Sequence, residues 1–532
     1  MNKREILIIL LILCMICAIS AVSAADIGVD DANGTLTTPK GEAVETSNDL
    51  STLSVSDDSD VLGDATGAGG SFSDLQTLIN SNTGTITLTG NYTYGGSDSG
   101  NTGISIKNKD ITIVGQGNIV IDAKEKSRIF NIDGATVTLK GITFTNAKYS
   151  GDGGAITSNS KLIIDNCNFT SSSAISGGAI LIGGSHSKIT NSNFESNVAS
   201  YSGNIWGGGA IKLAQSISNV TFDHCSFVGN NATNGHGGAI SMSQCKNIVI
   251  NNSYFNKNYA KGDGGALYTY KQEKMSILNT NFTENSVLYS TGLGGAIHFQ
   301  NDNHIKNYID IINCSFISNS AARGGAIRTT QPSYYFNLYN LTFKNNKAKY
   351  EGGAFSHNQL SYYFNFENIT FVNSSTEQIT GAWGGTIYFN AESSNWKNIS
   401  IYDSESLTGG AICIKSSVQN TFRDIIIKNA TASSYGGAIQ LGLYTSDPNN
   451  VLANVTIIDS EVTDAWPNYG GGAIFIMGSS ATLTNISITN TSSNSCGGAI
   501  QVYNSHSTLN NINITNSSAR NGGAIYVGSD YQ

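Results

Sequence analysis

The chain has 532 residues, 13% of them charged, with 59 Gly, only 4 Pro and a net charge of −9. Abundant Asn, Ser, Thr and Ile make it too β-branched for a disordered chain and too poor in Leu, Glu, Lys and Ala for a helical one. The charge is local: residues 26–64 hold ten acidic side chains against Lys40, and from residue 65 on there are 26 basic and 27 acidic groups, so nothing steers the body toward nucleic acid or anionic lipid.

Lys3 and Arg4 precede an apolar run from Ile6 to Ile19, and Val22-Ser23-Ala24 supplies small residues for cleavage. That is the pattern of an export signal over residues 1–24. The run is short of the ~20 residues that span a bilayer, and Leu13 is too bulky for lipidation of Cys14. No second apolar run follows, so the mature chain is expected to lack a transmembrane anchor. Residues 25–70, acidic and rich in Ser and Thr, read as a flexible leader. Ser73-Asp74-Leu75-Gln76 has capping-box spacing, and Phe72, Leu75, Leu78 and Ile79 share a helical face. A capping helix is therefore predicted over residues 71–81, with strands at Thr85–Thr89 and Ile111–Val114.

From residue 153 a repeat takes over. A Gly-Gly-small-apolar tetrapeptide recurs fourteen times, at spacings of 24 to 35 residues, as in Gly153-Gly154-Ala155-Ile156, Gly237-Gly238-Ala239-Ile240 and Gly324-Gly325-Ala326-Ile327. Ahead of it runs F-x-x-N, at Phe194/Asn197, Phe227/Asn230, Phe255/Asn258, Phe282/Asn285, Phe316/Asn319 and Phe343/Asn346. Between these markers, segments such as Phe336–Phe343 alternate apolar and polar residues with one offset, the mark of short strands joined by tight turns. Three strands and three turns fill one coil of a parallel β-helix. Residues 71–532 are therefore predicted to form a single all-β domain, a right-handed parallel β-helix of about 14–17 coils, with its tetrapeptide repeats over 153–525. Paired glycines suit a corner needing positive φ or close approach. Asn230, Asn258, Asn285, Asn319 and Asn346 should stack as a buried ladder, because an unpaired buried amide costs about 1–3 kcal/mol.

Candidate functional residues follow from coil phase. Tyr308, Tyr335 and Tyr363 share one outward phase in consecutive coils, with Lys274 before them, and should form an aromatic row able to meet sugar rings or a partner surface. The bland alternative is a cross-strand stack that only stabilises the sheet. Long units before Gly384 and Gly471 insert Trp383, Trp466 and Pro467, and inserted solenoid loops are common binding sites. Gly235-His236-Gly237 has the form of a polygalacturonase motif, but the carboxylate pairs that hydrolysis needs occur side by side only at Asp30-Asp31 and Asp57-Asp58 in the leader. Arg323 and Arg328, with Asp302, Asp310 and Glu351 as acidic neighbours, are the residues open to a lyase. The three acids are expected at different coil phases. The seven His have no metal-ligand spacing, and no cofactor is implied. Cys167, Cys225, Cys245, Cys314, Cys413 and Cys496 fall on coils and phases that do not pair and are expected as buried thiols. Eighteen N-x-S/T sequons occur, among them Asn281, Asn340, Asn368 and Asn454, open to glycosylation.

Gly-Gly-Ala-Ile paired with F-x-x-N resembles the repeats of chlamydial polymorphic membrane proteins. The stretch from Phe72-Ser73-Asp74-Leu75-Gln76 through Ile111-Thr112-Ile113 and Val137-Thr138-Leu139 to Gly153-Gly154-Ala155-Ile156 is similar to the opening of adhesin-like β-helix proteins of methanogenic archaea. The resemblance covers residues 71–532. It implies a secreted or surface-displayed protein that binds glycans or proteins of cell surfaces rather than an enzyme. The rival expectations are a polysaccharide lyase or glycosidase and a structural envelope component.

Overall fold

The computed structural model describes residues 65–96, 98–200, 207–302, 306–330, 334–359, 362–415, 419–442, 450–478 and 480–529. The predicted export signal and most of the predicted leader lie outside these residues. By internal contacts the chain divides into Met1–Asp60 and Val61–Gln532, and only the second unit is considered below.

That unit is a parallel β-solenoid. A narrow sheet takes one short strand per coil, sixteen in all, and a broad sheet takes the remainder. Sixteen strands leave fifteen full turns between first and last, a column of about 70 Å at ~4.8 Å per rung. Pairing is parallel throughout the described strands and, apart from shifts in four strand pairs, in register, as in Leu267↔Ile297, Ile297↔Ile327 and Ile327↔Phe355. The six coils from Ile156 to Arg323 each have four strand segments rather than the expected three, for example Leu267–Tyr270, Lys274–Leu278, Asn281–Thr283 and Ser286–Val287, and in the final coils the last three merge into one long strand such as Thr421–Tyr435. The extra corners need no loop, because single residues in the left-handed region turn the chain. Asn340, at φ 55°, makes the offset in the alternation of Phe336–Phe343, so Phe336, Leu338, Leu341 and Phe343 all point inward and are buried.

The glycine doublets line up along one edge. At Gly324 φ is 63°, and a Cβ there would lie 2.4 Å from the Ile327 carbonyl oxygen; a Cβ on Gly325 would lie 2.0 Å from the carbonyl oxygen of Gly353, the equivalent glycine one rung on. The first position therefore needs a left-handed residue and the second needs no side chain at all.

The interior is filled by ladders. Phe144, Phe169, Phe194, Phe227, Phe255, Phe282, Phe316, Phe343 and Phe371 stack with centroids 4.7–5.0 Å apart, so the column begins two rungs earlier and ends one later than the F-x-x-N motif. Beside it runs the predicted asparagine ladder, which starts at Asn197. Each Nδ2 donates to the next Oδ1 at 2.9–3.0 Å and also to a Phe carbonyl of the preceding coil. Each Oδ1 from Asn230 on also accepts the backbone N–H of the asparagine before it. The six cysteines among the described residues are free and buried. Burial pushes the thiols of Cys167, Cys225, Cys245 and Cys314 up to about 12, which removes thiolate reactivity.

A helix, Phe72–Ser81, packs Phe72, Leu75 and Ile79 into the same core at its first coil. Its capping box is Ser71 with Asp74, two residues ahead of the predicted Ser73–Gln76 pair. Asp98 decides between them by accepting the Phe72 and Ser73 N–H groups at 3.0 and 2.8 Å. The solenoid also begins before residue 71: Ala65–Gly67 pairs with Ile86–Leu88, within the span that composition assigns to the leader.

Candidate functional site

Two features stand out on this frame. The first is the tyrosine row. Tyr308 and Tyr335 stack at 4.9 Å and 3°, Tyr335 and Tyr363 at 5.2 Å and 12°. Tyr308 is 46% and Tyr363 47% exposed, while Ile309, Ile311, Phe336, Leu338, Phe364 and Phe366 beside them are buried. Tyr335 and Tyr363 occupy left-handed corners, at φ 53° and 63°. Lys274 pairs in register with Tyr308 and is exposed. The column continues backward as Asn247, Asn219 and His186, linked by hydrogen bonds of 3.0 Å. Stacking has a chemical consequence. The inner ring faces cover one another, leaving the ring edges, the line of phenol hydroxyls and one face at each end to meet a ligand.

The two tryptophans do not join this row. Trp383 immediately precedes Gly384 on the glycine edge, stacked on Tyr388 at 5.6 Å with the Lys415 ammonium 5.3 Å from its ring. Trp466 is 66% exposed and lies in the insertion ahead of Gly471. Asn340, Asn368 and Asn454 are exposed residues in left-handed corners, whereas Asn281 is exposed on a strand and accepts from the Ser315 hydroxyl at 2.6 Å.

The second feature is a buried seam. The narrow sheet is covered on both faces, so residues pointing away from the core, such as Tyr268, His298, Arg328, Ser356, Tyr388, Cys413 and Gln440, are at most 5% exposed. Residues just before the glycine doublets lie against them. Lys212 meets Asp152 at 2.8 Å. His236 stacks on Tyr268 at 4.5 Å, and Asp263 lies 3.4 Å from His236 Nδ1 and 3.3 Å from His298 Nδ1. Arg323 reaches Glu351 at 3.1 Å, and Arg328 bonds the other oxygen of that carboxylate and the Ser356 hydroxyl. Further along, Tyr435, Tyr469, Phe475 and Tyr503 make the seam aromatic, with centroids 5.1–6.1 Å apart.

Of the three acids expected at different coil phases, Glu351 is the one that shares a site with both arginines. The register explains it, since Arg323 pairs with Glu351 across a bulged rung. Asp302 instead pairs with Lys271, and Asp310 accepts from the Asn337 amide at 2.8 Å.

The electrostatics of the seam are those of a closed structure. Burial alone would raise Asp263, but the neighbouring His298 and His236 hold its carboxyl well below the usual range. Burial pushes His298 down despite Asp263, and its Nε2 is 2.9 Å from Thr330 Oγ1. Carboxylate, imidazole and hydroxyl run in the order of a nucleophile relay. His298 is 1% exposed, and the line ties coils together. His236 Nδ1 accepts the Asp263 N–H at 2.8 Å, a structural bond rather than one poised for acid–base work.

The seam carried a sequence signal that repeat spacing hides. Positions one before the doublet (Asp152, His236, Asp263, Arg323, Glu351, Trp383) and four after its first glycine (Lys212, Tyr268, His298, Arg328, Tyr388) are charged or aromatic in coil after coil.

Residues 252–270 and 340–358 match the Chlamydia polymorphic membrane protein repeat, and each stretch holds one F-x-x-N and one glycine doublet. No curated protein aligns with the chain. Among solved structures, the surface adhesin PfbA of Streptococcus pneumoniae is 11% identical, with 86% of this chain and 96% of that one covered at a TM-score of 0.32. The receptor-binding domain of the siphovirus 9NA tailspike is 11% identical, with 87% and 76% covered and a TM-score of 0.30. The PL6 family alginate lyase AlyGC is 9% identical, with 88% and 100% covered and a TM-score of 0.22. These scores are too low to carry an inference about function.

Proposed function

We propose that the chain is an exported, surface-displayed adhesin whose tyrosine-bearing face binds a polysaccharide or another extended cell-surface polymer lying along the rod. The hand of the coil is taken as right-handed, the sense that twisted parallel strands favour. The supporting observation is the Tyr308–Tyr335–Tyr363 column. Two half-exposed phenols flanking the partly buried Tyr335, at intervals of 4.9 and 5.2 Å, repeat on the scale of one sugar residue and match a periodic polymer better than a compact ligand. Lys274 adds a cation at the open end of the stack, where an acidic sugar would be favoured. Trp466 and the loop before Gly471 form a separate contact point on the glycine edge.

A lyase or glycosidase needs a carboxylate or base open to substrate. Asp152, Asp263 and Glu351, acids of the seam, are instead engaged by a lysine, histidines and arginines, which favours binding over turnover.

The test is binding of the full chain to a polysaccharide array and to intact cells, with Tyr308, Tyr335 and Tyr363 all replaced by Ser. Unchanged melting with binding reduced at least tenfold supports the reading. Unchanged binding by a folded variant, or release of shortened sugars by the wild type, refutes it.

A further inference from the structure

We propose that a second corner of the rod is a glycan-acceptor edge, on which Asn313, Asn340, Asn368, Asn398, Asn454 and Asn485 receive N-linked sugar. The proposal rests on export of the chain and not on what the tyrosine column binds.

These six asparagines occupy one corner column. All are exposed, all have φ between 53° and 58°, and each begins an N-x-S/T sequon. The hydroxyl residues two positions on also line up: Ser315, Thr342, Thr370 and Ser400 stand in consecutive rungs, and Thr456 pairs with Ser487. They are partly or fully exposed, as an acceptor site requires.

The fold needs a residue that tolerates the left-handed region at the corner but not the hydroxyl beside it. In the same column Asn279, Asp424 and Asn511 turn the chain equally well, at φ 48–56°, with Asn281, Ile426 and Asn513 two residues later. Conversely, the buried ladder Asn197, Asn230, Asn258, Asn285, Asn319 and Asn346, closed to any sugar, carries Ala or Val at that position every time.

The amide geometry is compatible with substitution. Each of the six Nδ2 atoms donates one hydrogen to the preceding rung, at 2.8–3.2 Å. An asparagine amide has two hydrogens. Transfer from a lipid-linked glycosyl pyrophosphate would form a bond from Nδ2 to the anomeric carbon as the sugar–phosphate bond breaks. The pyrophosphate leaves with the electron pair, and Nδ2 gives up one proton to the transferase's base. The remaining N–H keeps the ladder bond. A sugar ring is wider than a ~4.8 Å rung, so neighbours in the run Asn313–Asn340–Asn368–Asn398 should be substituted alternately.

The experiment is intact-mass analysis of the full chain from the organism that makes it. Enzymatic glycan release in heavy-oxygen water then marks each occupied site. The expected result is added mass on this column, with no molecule modified at two adjacent rungs. Thr342→Ala should abolish modification at Asn340 alone, while Thr342→Ser retains it, with melting unchanged in both; Thr456→Ala and Thr456→Ser provide the same pair at Asn454. A bare polypeptide mass, modification confined to sequons outside the column, or an Asn340 still modified in Thr342→Ala would overturn the proposal.

Discussion

Replacing Asn258 by Ala tests whether the buried amide column carries the rod. Its Oδ1 accepts from the Asn230 N–H and Nδ2 at 3.1 and 3.0 Å, and its Nδ2 donates to the Phe227 carbonyl and Asn285 Oδ1 at 3.0 and 2.9 Å. Alanine removes all four bonds at a residue with no exposed surface. Asn230 Nδ2 keeps its bond to the Phe194 carbonyl at 2.9 Å, but the Asn230 backbone N–H is left without an acceptor. One orphaned buried donor at about 1–3 kcal/mol and three further bonds at about 0.5–1.5 kcal/mol each give a loss of roughly 3–7 kcal/mol. Solenoid stability is a sum of coil and nearest-neighbour contributions, so the damage should be local. Hydrogen exchange should show lost protection centred on the coils of Phe227 to Asn285, with distant rungs retained. A loss below about 1 kcal/mol, or an even loss along the whole chain, would refute the reasoning. As a control on the exposed column, Asn340→Ala should cost only about 1–2 kcal/mol, for placing a Cβ-bearing residue in the left-handed region, and Asn340→Gly should recover it.

Three other outcomes are expected. Gly325→Ala drives a methyl to within 2.0 Å of the Gly353 carbonyl oxygen, so the rung must open; urea titration should show a lower midpoint and a new early transition. Glu351→Gln leaves the buried Arg328 without its counter-charge and should destabilise by about 3–5 kcal/mol, read by thermal melting, with Arg323→Gln milder because that side chain is 32% exposed. Burial drives His357 from 6.5 down to about 3. Its stabilising contribution is therefore complete above pH 6.5 and is lost as the pH falls toward 3, where only the unfolded chain gains the proton. His357→Gln should flatten the fall in urea midpoint across that window; an unchanged slope would contradict the assignment.

What the sequence revealed depended on whether a residue's partner lay at its own phase. Phe282 finds Phe316, and Asn285 finds Asn319, at equivalent positions one coil on, so a repeated motif was enough to pair them. Tyr308, Tyr335 and Tyr363 were legible for the same reason. Arg323 and Glu351 share a phase too, each one residue before a glycine doublet, but the second partner of Glu351 was hidden, because Arg328 lies on a strand of the other sheet. The capping box shows a different limit. Ser71–Asp74 and Ser73–Gln76 fit one spacing rule, and the choice was made by Asp98, which lies in another coil.

The in-register pairing also determines how the molecule would yield under load. Hydrogen bonds between coils lie along the long axis, so tension at the two ends meets them one rung at a time rather than all together. Peeling a single coil of 24 to 35 residues would pay out about 80–120 Å of chain while the rest stayed wound. The strand pairing thus gives the rod the behaviour of a spool, which lengthens under tension in discrete steps.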